Sequence, residues 1–308
     1  MAELPTDAAG ASSANFALAE VLDAGGQRAG ELTDQLCSHS FAIIELLPTD
    51  AATLGKSLDV MSMRLAPLHH SAPLVRRASA SSQHEPCIRT SSQTRRVLMS
   101  FLPNRSEHVA LDSDDSDSDG TDSKDGGSDG ESNASDAALS EVAEAAHDIH
   151  PMLLHVARVA TAALAAARAS ALHGVPLNDG KFDAFWYPSD GATGRAFQDK
   201  ECPCVAHTDP GIVTIVAETT AALEVQSAND GKWRRLALGP HQLAVLTGKQ
   251  LELISQGAFV ACTHRVAPTA APRASYVLEV ARRVEEQPLD PRERVGQRLW
   301  DPRGGFTR

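Results

Sequence analysis

The stretch CVAHTDPGIVTIVAE, residues 204–218, decides the fold. Two short runs rich in β-branched residues, 204–207 and 211–217, flank a Thr-Asp-Pro-Gly turn, which reads as strand, turn, strand. The same character continues downstream. Strand-like runs are expected at 222–226, 233–237, 242–247, 251–254, 259–263 and 275–282, with 182–187 just upstream. Turn signals separate them: Ser189-Asp-Gly191, Asn229-Asp-Gly231, Gly239-Pro240 and Pro268. Asn-Asp-Gly between LEVQ and KWRRL predicts a hairpin. Many short strands at regular spacing predict a sandwich or barrel. The expected fold class is therefore mainly β with flanking helices.

The chemistry sits inside the same stretch. Side chains alternate across a strand, so His207 and Asp209 can point to one side. His264 follows at the end of another strand-like run. Two imidazoles and one carboxylate form the facial set that suits non-haem Fe(II), leaving the opposite face open. A His-x-Asp pair alone is not specific, and each His could equally be a structural strand-end residue. A further element is Arg273-Ala-Ser275, at the head of the strand Tyr276–Val280. A guanidinium fork beside a hydroxyl suits a carboxylate. A dicarboxylate that chelates metal at one end needs such an anchor at the other.

In order, HTDPGIVTIV (207–216), GKW (231–233), SQG (255–257), HRV (264–266) and RAS (273–275) resemble the motifs of the 2-oxoglutarate/Fe(II)-dependent dioxygenases of the isopenicillin-N-synthase-like superfamily. The resemblance covers about 181–283. It implies a double-stranded β-helix (jelly-roll) core, with Fe(II) held by His207, Asp209 and His264. Arg273 and Ser275 would then hold the far carboxylate of 2-oxoglutarate. It also implies O₂ as oxidant, ascorbate as an accessory reductant, and hydroxylation or desaturation of an organic substrate with release of succinate. The family's Asn-x-Tyr-Pro strand is matched by Phe185-Trp-Tyr187-Pro188. Tyr187 is thus a third candidate for the co-substrate, while Phe185 replaces the polar residue. Cys202-Pro-Cys204 reads as ordinary strand residues rather than a metal or redox pair.

Outward from this core the chain changes character. A helix is expected over 16–38, a strand at FAIIEL (41–46), and a second helix over 50–65. Residues 71–96, with Arg76, Arg77, Arg89, Arg95 and Arg96, read as a solvated loop rather than a phosphate site. Residues 112–136 hold ten acidic residues against Lys124 and no large apolar side chain, so nothing offsets the entropy of ordering them. They lack the spacing of an EF-hand loop. A long helix should open near Ser140-Glu141 and close near His173-Gly174. Pro151 should bend or split it. His147, His150 and His155 do not share one face of it well enough to ligate. Three regions follow: a helical or mixed segment over 1–110, a disordered acidic insert over 111–136, and a catalytic core with C-terminal tail over 137–308.

The net charge of −12 is concentrated in that insert, leaving about −3 elsewhere, so no basic footprint for nucleic acid is expected. Five cysteines, an odd number, and an N-terminus without a basic or apolar start favour a reduced, cytoplasmic setting. No run reaches the roughly 18–20 apolar residues of a bilayer span. The expected partner is a small-molecule substrate, and the expected state is a monomer. The competing readings are a non-haem iron oxidase of the same fold that does not use 2-oxoglutarate, a catalytically inactive jelly-roll binding module, and a zinc hydrolase. The last would leave Arg273-Ala-Ser275 without a role.

Overall fold

Alternation along the strand Arg273–Val280 explains the layering of the molecule. Ala274, Tyr276, Leu278 and Val280 face one way, into a large apolar core shared with the helices. Arg273, Ser275, Val277 and Glu279 face the other way. The computed structural model describes residues 15–21, 26–67, 87–91, 96–101, 129–167, 170–178, 180–189, 202–228 and 230–282. In chain order these form β1 (Asn15–Ala17), α1 (Leu18–Val21), α2 (Gln27–His39), β2 (Phe41–Glu45), α3 (Pro48–Leu65), β3 (Cys87–Ser91) and β4 (Arg96–Phe101). There follow α4 (Asp129–Ala167), β5 (Lys181–Tyr187), β6 (Cys204–His207), β7 (Val213–Glu218), β8 (Leu223–Gln226) and β9 (Trp233–Arg235). The last elements are β10 (Gln242–Thr247), α5 (Lys249–Ile254), β11 (His264–Val266) and β12 (Arg273–Val280).

The strands build a jelly-roll of two sheets. The larger has the order β1-β2-β10-β7-β12-β5-β4-β3, antiparallel except for β1 on β2, and the smaller has the order β6-β11-β8-β9. Phe41, Val216, Leu223, Val225, Leu236, Ala244, Leu246 and Cys262 pack together between them. The opposite face of the larger sheet is covered by α2, α3 and α4. Their buried positions recur at helical spacing: Leu32 and Leu36 in α2, Leu54, Leu58, Met61 and Leu65 in α3, and Val142, Ala146, Ile149, Leu153, Ala157 and Ala160 in α4. Each large aliphatic side chain buried here contributes roughly 1.5–3 kcal/mol. A polar tie crosses the layer, where Ser57 donates to the Ala145 carbonyl at 2.7 Å and its hydroxyl meets that of Tyr276 at 2.9 Å.

The smaller sheet explains two of the sequence motifs. Gly231 takes φ +66° in the turn joining β8 to β9, and Ser227 and Lys232 close that turn with a backbone bond of 2.9 Å. The turn delivers Trp233, and Arg265 of β11 lies 4.1 Å above its ring. Arg265 also pairs with Glu224 of β8 at 2.8 Å, with both side chains about 10% exposed. The Gly-Lys-Trp and His-Arg-Val strings therefore lock β8, β9 and β11 to one another.

Several expectations change. Residues 251–254 lie in helix α5 rather than in a strand. Four residues are too few for periodicity to separate the two, and here the first turn is fixed from outside: the amides of Lys249 and Gln250 donate to the carbonyls of Asp209 and Gly211, both at 2.9 Å. Residues 259–263 are not a strand either. Phe259, Ala261 and Cys262 are buried, but their amides go to Ser255 Oγ, Glu252 Oε2 and the Thr247 carbonyl instead of to one ladder partner. The helix expected over 16–38 is divided. Asn15–Ala17 extends the sheet edge beside β2, and α2 restarts after Gly26. Part of the expected 71–96 loop is the β3–β4 hairpin, and 68–86 lie outside the described residues. The C-terminal tail beyond 282 and most of the acidic insert also lie outside them.

Helix α4 opens at Asp129, inside the segment expected to be acidic and unstructured. Negative residues are favoured at a helix N-terminus, which helps the buried stripe downstream extend the helix backwards. Pro151 does not split the helix. It is exposed, and the buried residues on either side of it enter the same core, so packing outweighs the one missing amide. By length and composition alone Ala137–Ala167 is apolar enough to cross a membrane, which the sequence reading passed over, yet 56% of that window is buried inside the fold.

Candidate functional site

Strands β6 and β11 are hydrogen-bonded neighbours, with His264 directly opposite His207. Paired positions in a ladder place side chains side by side. The two imidazole centroids are 4.3 Å apart at 52°. Asp209 follows two residues after His207 and sends Oδ1 to within 3.5 Å of His207 Nε2, and Oδ2 to within 3.6 Å of His264 Nε2. One donor atom from each residue falls within a 4.8 Å cluster, the only group of three or more His, Cys, Asp or Glu side chains so placed among the described residues.

Each imidazole is oriented from behind. His207 Nδ1 lies 2.9 Å from the Val205 carbonyl, and His264 Nδ1 lies 3.1 Å from the Cys262 carbonyl. A carbonyl can only accept, so both Nδ1 atoms carry hydrogen, and each ring, when neutral, turns its Nε2 lone pair to the centre. Thr214 donates to Asp209 Oδ2 at 2.6 Å. The backbone carbonyl of Asp209 is held by α5, as described above.

Electrostatics follow from this packing. Burial works against the Asp209 carboxylate, but hydrogen bonds from His207 and Thr214 hold it down at about 2. Burial lowers His264, keeping its imidazole neutral. Burial also opposes charge on His207, yet the Asp209 carboxylate and Cys204 raise it. Cys204 lies 3.8 Å from His207 Nδ1, while Cys262 is pushed up to about 12 by burial. Cys37, Cys202, Cys204 and Cys262 all stand outside disulfides.

A second cluster lies on the inner face of the larger sheet. Arg273 is 2% exposed, and its Nε donates to Glu218 Oε2 at 2.7 Å. Glu218 also accepts the amides of Ala222 and Leu223, so three donors converge on one buried carboxyl. Nη1 of Arg273 and Oγ of Ser275, both buried, have no hydrogen-bond partner among the described residues, and Asp183 Oδ1 is a third such atom. Buried polar groups are normally paired, so these atoms are suited to an outside ligand. Tyr187 is opposite Arg273 in the β5–β12 ladder, and the Arg273 guanidinium lies 5.1 Å from its ring centre. Burial raises Tyr187, so its hydroxyl keeps its proton and can donate.

All six residues singled out in the sequence therefore fall into these two clusters. Arg96 was not singled out for the site. It begins β4 beside Tyr187 and carries its guanidinium 5.3 Å above the Phe185 ring. The signal that could have found it is the RVLMSF alternation of β4, which marks a strand rather than a loop. Conversely, His150 packs 5.3 Å from the Phe182 ring, and the helix histidines form no cluster of ligating groups among the described residues.

Glu279 lies on the same inner face. Burial, and the Asp209 charge after it, push it up to about 7 from 4.5. A carboxyl raised in the folded state opposes folding above its unfolded value: the penalty is absent below about pH 4.5 and complete above about pH 7. Glu279→Gln is therefore expected to stabilise the protein by about 3 kcal/mol at pH 8 and by almost nothing at pH 4.5. Thermal melts at the two pH values measure this, and equal shifts at both would contradict it.

Residues 188–281 match the family model described as the 2OG-Fe(II) oxygenase superfamily. Among curated proteins, DOWNY MILDEW RESISTANCE 6 of Arabidopsis thaliana is 35% identical over 71 residues, which is 23% of this chain and 21% of that protein. The match thus spans about a fifth of that relative's length. Among solved structures, a full-length Neurospora crassa protein in complex with alpha-KG and 5-formyluracil superposes with a TM-score of 0.58. It is 14% identical, and the match covers 89% of this chain and 87% of that one. The rice dioxygenase for auxin oxidation gives a TM-score of 0.53 at 16% identity, covering 86% and 81%. At these identities the structural likeness speaks for the jelly-roll fold.

Proposed function

We propose, from the match of residues 188–281 to the 2OG-Fe(II) oxygenase superfamily, that the chain is a 2-oxoglutarate-dependent dioxygenase, with His207, Asp209 and His264 as its iron ligands. The observation that carries this reading is the convergence of His207 Nε2, His264 Nε2 and the Asp209 carboxylate within 4.8 Å, beside the unpaired Arg273 Nη1 and Ser275 Oγ. The donor set fits Fe(II): two imidazoles, each able to present Nε2 once neutral, and one carboxylate would hold the ion. The second cluster fits the far carboxylate of 2-oxoglutarate, with Arg273 and Ser275 as donors and Tyr187 as a third. The Neurospora protein of similar fold, solved in complex with alpha-KG, supports that co-substrate.

With Fe(II), 2-oxoglutarate and O₂ bound, such a site oxidises an organic substrate while 2-oxoglutarate is decarboxylated to succinate. The chain's own residues fix geometry. The Val205 and Cys262 carbonyls hold both imidazoles in the tautomer a metal requires. Thr214 holds the Asp209 carboxylate between them. Glu218 pins Arg273 at Nε and leaves Nη1 unpaired, so it could donate to a carboxylate. The jelly-roll interior keeps Arg273 and Ser275 from water, which strengthens their hold on a carboxylate.

The substrate is proposed to be a small organic molecule, hydroxylated or desaturated, and the protein a cytoplasmic monomer. Thiols outside disulfides agree with a reducing compartment. The three-region organisation, 1–110, 111–136 and 137–308, belongs to the same proposal, with β1–β4 of the first region completing the larger sheet of the core. Iron- and 2-oxoglutarate-dependent mass shifts in a metabolite pool test the reaction; a pool unchanged while succinate still accumulates would leave a 2-oxoglutarate oxidase without an organic substrate.

Thr214→Val is expected to weaken Fe(II) binding about tenfold without unfolding the protein, because the carboxylate loses its orienting donor. Equilibrium dialysis with Fe(II) reads this directly.

A further inference from the structure

The co-substrate pocket holds a charge imbalance. Arg273 and Glu218 are 2.7 Å apart and almost fully buried, so together they are neutral. A carboxylate seated on Arg273 Nη1 and Ser275 Oγ would bring one uncompensated negative charge into a buried place, which is costly. A second cation stands next to it. β4 and β5 pair with Val97 opposite Trp186, so Arg96 falls beside Tyr187, which is itself opposite Arg273. The order across the sheet is Arg273, Tyr187, Arg96. Among the described residues the groups acting on the Arg96 guanidinium are the Tyr187 hydroxyl and the Cys204 thiol, neither of them a carboxylate. Both guanidiniums act on the Tyr187 hydroxyl.

Phe185 takes part in this arrangement. It occupies the position where the resembling family carries a polar residue. Its ring stacks on Tyr187, with centroids 6.0 Å apart, and supports the Arg96 guanidinium at 5.3 Å. A cation held on an aromatic face keeps its remaining N–H groups for other partners.

We propose that Arg96 is a second anchor for the far carboxylate of 2-oxoglutarate, acting across Tyr187 from Arg273 and restoring the neutrality that Glu218 removes. The proposal rests on reading this pocket as the 2-oxoglutarate site.

The test is calorimetric titration of the Mn(II)-loaded full-length protein with 2-oxoglutarate, and separately with 2-oxopentanoate, which has the same chelating end and chain but no far carboxylate. Arg96→Gln is expected to weaken 2-oxoglutarate by about tenfold or more while leaving 2-oxopentanoate and Mn(II) unchanged. Arg96→Lys, which keeps the charge but not the fork, should recover part of the loss, and it carries the test if the Gln variant does not fold. Wild-type affinity for 2-oxoglutarate in Arg96→Gln overturns the proposal, as does an equal loss for both ligands. A wild-type protein that binds neither ligand would instead overturn the function proposed above.

Discussion

His264→Ala is expected to abolish Fe(II) binding and all iron-dependent succinate release, and His207→Ala to do the same. Each removes one of three proposed ligands. Among the described residues no other His, Cys, Asp or Glu belongs to such a cluster and could replace it. Loss of an outer partner of a metal ligand costs about 10–100-fold in affinity, and loss of the ligand itself should exceed that. The His264 side chain is 9% exposed, so its removal also opens a small cavity, and a melt is needed beside the metal assay. His207 is 41% exposed, so its variant should fold as well as wild type and is the cleaner measurement. Full turnover in either variant would refute the ligand assignment.

Arg273→Leu should have the second large effect, on stability as well as binding. Glu218 has a fully buried side chain, and its charged partner would be gone. Breaking a buried pair in this way typically costs about 3–5 kcal/mol. The double change Arg273→Leu/Glu218→Gln should recover most of that stability, because the amide oxygen can still accept from Ala222 and Leu223. It should not recover 2-oxoglutarate binding. Denaturant unfolding and calorimetry on the three proteins separate the two effects. A double variant that binds 2-oxoglutarate like wild type would remove Arg273 from the pocket.

How far the sequence could be read depended on how local each signal was. His207 and Asp209 are two apart on one chain segment, so strand alternation alone places them together. His264 needed a strand end and an ordered set of motifs, and its pairing with His207 is a contact across 57 residues. Arg273 and Ser275 were legible as a pair for the same reason as His207 and Asp209. Glu218 was not, because its role depends on the β7–β12 ladder, where Ser275 lies opposite it. Arg96 was lost in an Arg- and Ser-rich stretch whose composition resembles a loop; β4 is a strand because β5 pairs with it. The LEL run at 251–253 misled in the other direction. Leu251 is buried while Leu253 is 74% exposed, a helical division of faces that three letters cannot reveal.

The backbone bonds from α5 onto residues 209–211 have a mechanical consequence. A Cβ on Gly248 would collide with the Gly211 carbonyl oxygen, so the two segments meet with no room for a side chain. The carboxylate arm and the short helix must therefore travel as one body. His207 is mounted differently, on a four-residue strand with a single neighbour among the described strands and an irregular register. Breathing of the centre would begin at that strand, so under the proposed ligation the imidazole of His207 would be the first of the three to release an ion and the last to capture one.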